Sequence, residues 1–159
     1  MAVVDYFLKI QGIDGEAQDK THKGDIHIES FSWGETNAGT AAAGGGYGAG
    51  KVNMQDFRFV KKVDKSSPKL MLACATGEHI TKATLVCRKA GKEQQEYLKC
   101  TFSDLLISSF QLGGTEVMPE EQISFNFGKI EMEYKEQKAD GTLAGAVKSG
   151  YDVKAQASS

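Results

Sequence analysis

Apolar residues recur with a period of two over most of the chain, and the places where this alternation changes phase are as informative as the alternation itself. From Val4 to Ile10, the residues Val4, Tyr6, Leu8 and Ile10 alternate with Asp5, Phe7 and Lys9, the pattern of a strand with one face in a core. Gly12 to Gly24 breaks the periodicity, and Glu16 to Lys23 reads as a charged surface loop. Between Asp25 and Glu35 the apolar set switches sides: Ile26 and Ile28 share one face, Phe31 and Trp33 the other. A bulge between Glu29 and Ser30, or a strand that leaves one sheet and joins another, would bury both sets. Ser30, Ser32 and Gly34 then form a small polar face opposite Phe31 and Trp33.

The same switch occurs twice more. Val52 and Met54 lie on one phase and Phe57 and Phe59 on the other, within a strand-like run from Val52 to Val63. In the run from Gln122 to Tyr134, Ile123, Phe125 and Phe127 give way to Ile130, Met132 and Tyr134, with Gly128 at the change. Glycine, lacking a side chain, accommodates a bulge there at little cost. Ile80 to Lys89 and Gln95 to Phe102 read as a hairpin turning at Gly91, and Leu105 to Leu112 as a further strand ended by Gly113 and Gly114. The tail from Lys135 to Ala146 is polar, and Gly150 to Val153 reads as a short edge strand through Tyr151 and Val153.

One stretch departs from period two. Asp64 to Ile80 predicts a helix: Ser66 or Ser67 accepts hydrogen bonds from the first turn, Pro68 stands where a missing N–H costs nothing, and Gly77 takes the left-handed closing conformation. Leu70, Met71, Cys74 and Ala75 fall on one side, and so short a helix must be held by packing that stripe on a sheet. The expected fold is mainly β, a two-sheet β-barrel of about eight strands with one short flanking α-helix, because repeated phase changes favour barrels over flat sheets. At 159 residues the chain is expected to form a single domain over residues 1–159.

Composition adds one feature. Of 18 glycines, many lie between Thr36 and Lys51, a stretch too poor in apolar residues to fold alone and read as an extended glycine-rich loop over 36–51. Gly45, Gly50 and Lys51 match a phosphate-binding loop as far as its last position, where Val52 stands instead of Ser or Thr and a strand follows instead of a helix. Nucleotide binding is therefore not expected. A net charge of −2 gives no field for nucleic acid, and no apolar run is long enough to insert in a membrane. The chain is expected to be made in the cytoplasm and, if exported, to leave without a cleaved signal.

Catalytic chemistry is hard to place. His22, His27 and His79 have no metal-ligand spacing, and Cys74, Cys87 and Cys100 read as buried free thiols, Cys87 and Cys100 facing each other in one possible hairpin register. Glu131 and Glu133 share a strand face with Lys129, a mixed charged surface, and Glu120 and Glu121 follow Pro119 in an apparent turn. No catalytic, cofactor-binding or metal-binding residues are expected, and the protein is read as a non-enzyme.

Several segments in one order carry a resemblance. They are Tyr6-Phe7-Leu8-Lys9-Ile10, Gly15-Glu16, Asp19-Lys20-Thr21-His22, Ser32-Trp33-Gly34 before the glycine-rich loop, and Asp64-Lys65-Ser66-Ser67-Pro68 through Ala73-Cys74-Ala75-Thr76-Gly77. Arg88-Lys89-Ala90-Gly91, Glu96-Tyr97-Leu98, Val117-Met118-Pro119-Glu120-Glu121 and Gln137-Lys138-Ala139-Asp140-Gly141 continue it. Nearly end to end, the chain resembles the haemolysin-coregulated protein (Hcp) family, the tube protein of bacterial type VI secretion systems; the family's pattern often has tryptophan where Tyr151 stands.

The resemblance implies hexameric rings that stack into a tube inside a contractile sheath, capped by the spike protein VgrG, expelled by contraction and carrying small effectors in the lumen. Under it, Thr40, Gly44, Gly45, Gly46, Tyr47, Gly48, Gly50 and Lys51 become a ring-stacking or subunit-interface arm, and Ser30 and Ser32 candidate lumen-facing residues. Two rival readings remain open at this point: a monomeric small-ligand barrel with the glycine loop as lid, and a phage tail-tube protein.

Overall fold

The structure is a computed structural model, described here over residues 4–38, 51–89, 95–114 and 116–159. In chain order the elements are β1 (Val4–Ile10), β2 (Ile26–Ile28), β3 (Ser30–Ser32), β4 (Glu35–Asn37), β5 (Val52–Met54), β6 (Phe57–Lys62), α1 (Ser67–Thr76), β7 (Ile80–Lys89), β8 (Glu96–Gly113), β9 (Glu120–Gln137), β10 (Leu143–Asp152) and β11 (Ala157–Ser158).

Every ladder among the described residues is antiparallel, and two long strands organise them. β8 and β9, each 18 residues, pair along nearly their whole length. The C-terminal half of β9 also pairs with β10, and β7, β1 and β2 continue the sheet beyond β8. Its N-terminal half pairs instead with β6, which pairs with β3. Two sheet halves thus share β8 and β9. Where they meet, β8 places Asp104 at a φ of 53° and β9 places Gly128 beside it; a Cβ on Gly128 would stand 3.3 Å from that of Asp104 and 3.0 Å from Lys154 Cε.

The phase changes mark where the chain turns its corners. At Glu29 the chain leaves its pairing with β1 as β2 and takes up β6 as β3, and the Glu29 N–H bonds the Val60 carbonyl at 2.8 Å. The sheet therefore curls back on itself through a chain corner, since β2 and β3 have no ladder between them. Gln55 and Asp56 separate β5 from β6 in the same way. Both predicted switches are breaks, so each stretch read as one strand is two.

Three expectations about the elements need correction. The described residues are mainly β with one short helix, as expected, but the sheet halves do not close into a barrel and the strands number eleven, because of those breaks, because β4 and β11 pair outside any expected strand, and because β10 begins well ahead of the edge strand expected at Gly150. Gln95–Phe102 and Leu105–Leu112 are a single strand, β8, which the left-handed residue Asp104 carries across the change of phase. In α1 the buried residues are Ser67, Leu70 and Ala73, while Met71 and Leu72 face outward. Gly77 closes the helix at φ 66° as expected, but neither serine caps it: Ser66 Oγ donates to Asp64, and Ser67 Oγ accepts from the Asp64 N–H at 3.0 Å.

The core is aromatic. Phe57 lies 4.9 Å from Phe102 and 5.0 Å from Phe125 between ring centroids, and Phe127 is 5.0 Å from Phe102. Leu8, Ile26, Ile28, Leu85, Ile123 and Leu70 of α1 surround them. Each phenylalanine buried this way contributes roughly 1.5–3 kcal/mol, so the strands hold the helix and not the reverse.

Candidate functional site

Residues directly opposite across an antiparallel ladder point to the same face, so the registers sort the second sheet half into rows. Ser32, Arg58, Ser124 and Ser109 make one row across β3, β6, β9 and β8; Ser30, Val60, Gln122 and Gln111 make the next. With Asp56 and Ser108 these residues line an open cleft of about 550 Å³ on the side opposite the phenylalanine core. Ser30 and Ser32 lie exposed in its wall.

Inside the cleft a chain of hydroxyls runs to one carboxylate. Ser108 Oγ donates to Asp56 Oδ2 at 2.6 Å, Ser124 Oγ lies 2.8 Å from Ser108 Oγ, and Ser109 Oγ lies 2.6 Å from Ser124 Oγ. Asn126 Nδ2 donates to the other Asp56 oxygen at 3.1 Å. Sequence reasoning singled out Ser30 and Ser32 but missed Asp56, Arg58 and this serine chain. Its signal was the pair Ser108 and Ser109 interrupting an otherwise apolar strand.

The second surface is a stem. β4 and β5 pair Glu35 with Met54, Thr36 with Asn53 and Asn37 with Val52, a two-stranded ladder separate from the main sheet. Thr36 and Asn37, read as the start of the glycine loop, are thus strand. Lys51 is exposed at the foot of β5; Thr40, Gly44, Gly45, Gly46, Tyr47, Gly48 and Gly50 lie outside the described residues. Val52 enters a strand, which removes the helix N-terminus that a phosphate-binding loop requires.

A third feature is a row that runs out of the core. Tyr6, Cys87, Leu98, Tyr134 and Val147 stand side by side across β1, β7, β8, β9 and β10. Cys87 is buried, Tyr134 is 48% exposed and Val147 71%, so the apolar face continues past the residues that cover it.

Many of the charged groups are occupied with one another. The loop of residues 16–23, read as a charged surface loop, is also bolted to the sheet. Buried Arg88 donates to both oxygens of Asp19, at 2.8 and 2.9 Å, and lies over the Phe7 ring at 4.8 Å. Those bonds hold the Asp19 carboxyl far below the usual carboxylate range, with Thr21 adding two more. His22 stacks on Phe7 at 4.6 Å and bridges Asp25 and Glu96, at 3.0 and 2.6 Å. His27 is 4.0 Å from Asp5 and His79 3.2 Å from Asp104. Glu131 pairs with Lys148 and Glu133 with Lys135, the mixed charged face that the sequence suggested.

Two readings of charge and thiol change. Lys61 and Glu121, the latter taken as part of a turn, are fully buried partners 2.7 Å apart. The phase carried the signal: Lys61 continues the buried set Phe57 and Phe59, and Glu121 precedes Ile123 and Phe125. Cys87 opposes Leu98 and Cys100 opposes Leu85, so the two cysteines do not face each other and remain free. Burial pushes their thiols up to about 12 and about 11.

Curled β architecture, a hydrogen-bonding cleft, a separate two-stranded stem and an apolar row that ends exposed define a β-rich scaffold class of protein. The comparisons make this specific. The family model described as "Type VI secretion system effector, Hcp" matches residues 7–134. Protein hcp1 of Pseudomonas aeruginosa is 45% identical over 155 residues, covering 95% of this chain and 96% of that protein. Among solved structures, a type six secretion system protein superposes with a TM-score of 0.90 at 27% identity, covering 98% of this chain and 99% of the other. Hcp1 from Salmonella typhimurium gives a TM-score of 0.81 at 33% identity, covering 99% of this chain and 100% of the other. The chain belongs to the Hcp family, tube proteins of the type VI secretion system.

Proposed function

We propose that the chain is a one-domain tube subunit that joins copies of itself into hexameric rings, stacks those rings through the stretch carried on the β4–β5 stem, and is expelled by sheath contraction behind VgrG with small effectors in its lumen. The observation that carries the self-association is the uncovered end of the row Leu98, Tyr134 and Val147. Apolar surface on an edge strand invites a second copy, and a contact between unlike faces closes into a ring. The polar cleft with Ser30 and Ser32 faces away from the core and supplies a wall that hydrogen-bonds without sealing itself. A small-ligand barrel would need a hollow interior, whereas phenylalanines fill this one.

Negative-stain microscopy of the wild type, of Val147→Asp and of a chain shortened between Gly44 and Gly50 tests the reading. Rings are expected in the wild type, dispersed subunits with native circular dichroism for Val147→Asp, and rings that no longer stack for the shortened chain. A wild type that remains monomeric at its highest soluble concentration overturns the proposal.

A further inference from the structure

The cleft that holds Ser30 and Ser32 has a polarity that selects its occupant. Among the described residues lining it, Asp56 and Arg58 are the charged ones. Both Asp56 oxygens already accept hydrogen bonds, from Ser108 and Asn126, whereas Arg58 has no ion pair with any described residue. The serine protons are also committed. Ser108 gives its proton to Asp56, so the Ser108–Ser124 bond must use the proton of Ser124, and the Ser124–Ser109 bond that of Ser109. The donors left for a ligand are the Arg58 guanidinium, flanked in its row by Ser32, and the hydroxyl of Ser30 with the amides of Gln111 and Gln122.

We infer that this cleft is a carboxylate-recognising site, in which Arg58 receives the acidic side chains of a polypeptide passenger. A guanidinium is a planar fork that matches a carboxylate bidentately, and the neighbouring hydroxyl and amide donors complete the set. A basic segment finds the opposite: Arg58 repels it, and the Asp56 charge is already shared between two donors. The inference deepens the tube reading and rests on it in one respect, because copies side by side repeat Arg58 around a shared space and turn a weak single contact into avidity. A cation exposed in an open cleft is screened by salt, so the binding is salt-dependent.

Anisotropy of hexaglutamate and hexalysine peptides carrying an uncharged dye, titrated with the full chain, tests this, with negative-stain microscopy of the same samples. Hexaglutamate is expected to bind the wild type, to lose about tenfold in affinity with Arg58→Gln and less with Arg58→Lys, and to weaken in about 0.3 M salt. Hexalysine is expected to bind more weakly than hexaglutamate. Rings that fail to bind hexaglutamate, an Arg58→Gln variant of unchanged affinity, or tighter hexalysine binding each overturn the site. A monomer that binds hexaglutamate through Arg58 supports the site and overturns the assembly reading instead.

Discussion

Lys61 and Glu121 stand directly opposite each other across the β6–β9 ladder, their charged groups 2.7 Å apart and out of reach of water. The same Lys61 ammonium bonds Asp64 Oδ1 at 2.8 Å and Ser67 Oγ at 3.1 Å. One cation therefore ties the second sheet half to the start of α1, at the place where the sequence suggested serine caps.

Removing one partner strands the other charge in a dry site. Lys61→Met is expected to cost about 3–5 kcal/mol, and the double variant Lys61→Met with Glu121→Leu clearly less than the sum of the single changes. Urea unfolding of the two single variants, the double variant and the wild type measures this. Additive losses would mean that the pair is not coupled.

Acid should loosen the loop of residues 16–23 through Asp19. Its folded pKa lies below the unfolded value, so the stability it contributes is fully present above the ordinary aspartate pKa of about 4 and is lost as pH falls below that value toward the folded pKa. Asp19→Asn is expected to lower stability at neutral pH by about 1.5–3 kcal/mol and to flatten the fall on the acid side. Unfolding midpoints measured across roughly pH 2 to 6 decide it. An unchanged acid limb would assign the acid sensitivity to other carboxylates.

Thiol chemistry should separate the three cysteines. Cys87 and Cys100 are buried with thiols pushed up to about 12 and about 11, while Cys74 on α1 is half-buried. In the native protein a disulfide-exchange reagent near neutral pH is expected to react first at Cys74, and at all three after denaturation. Fast native labelling of Cys100 would mean that the β7–β8 face opens readily.

Much of the architecture was legible because period two reports burial directly. The switches at Glu29, before Phe57 and at Gly128 are the places where the chain changes partner, although the bulge expected at Gly128 is absent: the β8–β9 register runs unbroken past it and shifts between Ile107 and Ser109. The candidate site was legible only in part. Ser30 and Ser32 announced a polar face, but Arg58 joins them through the β3–β6 register and Ser124 and Ser109 through two further ladders, from positions far along the chain.

By itself the sequence determined which residues alternate, where the helix stops and where the backbone needs glycine, because these depend on near neighbours and on local sterics. The tertiary structure decided what each strand pairs with, and hence which side chains meet. It made Lys61 a buried partner of Glu121, tied the surface loop of residues 16–23 to the sheet through Arg88, and left Arg58 without an ion pair to any described residue in a cleft lined by hydroxyls. The physical reason is that charge and hydrogen bonding are settled by distances of a few ångströms between residues far apart in the chain, which a local pattern does not encode.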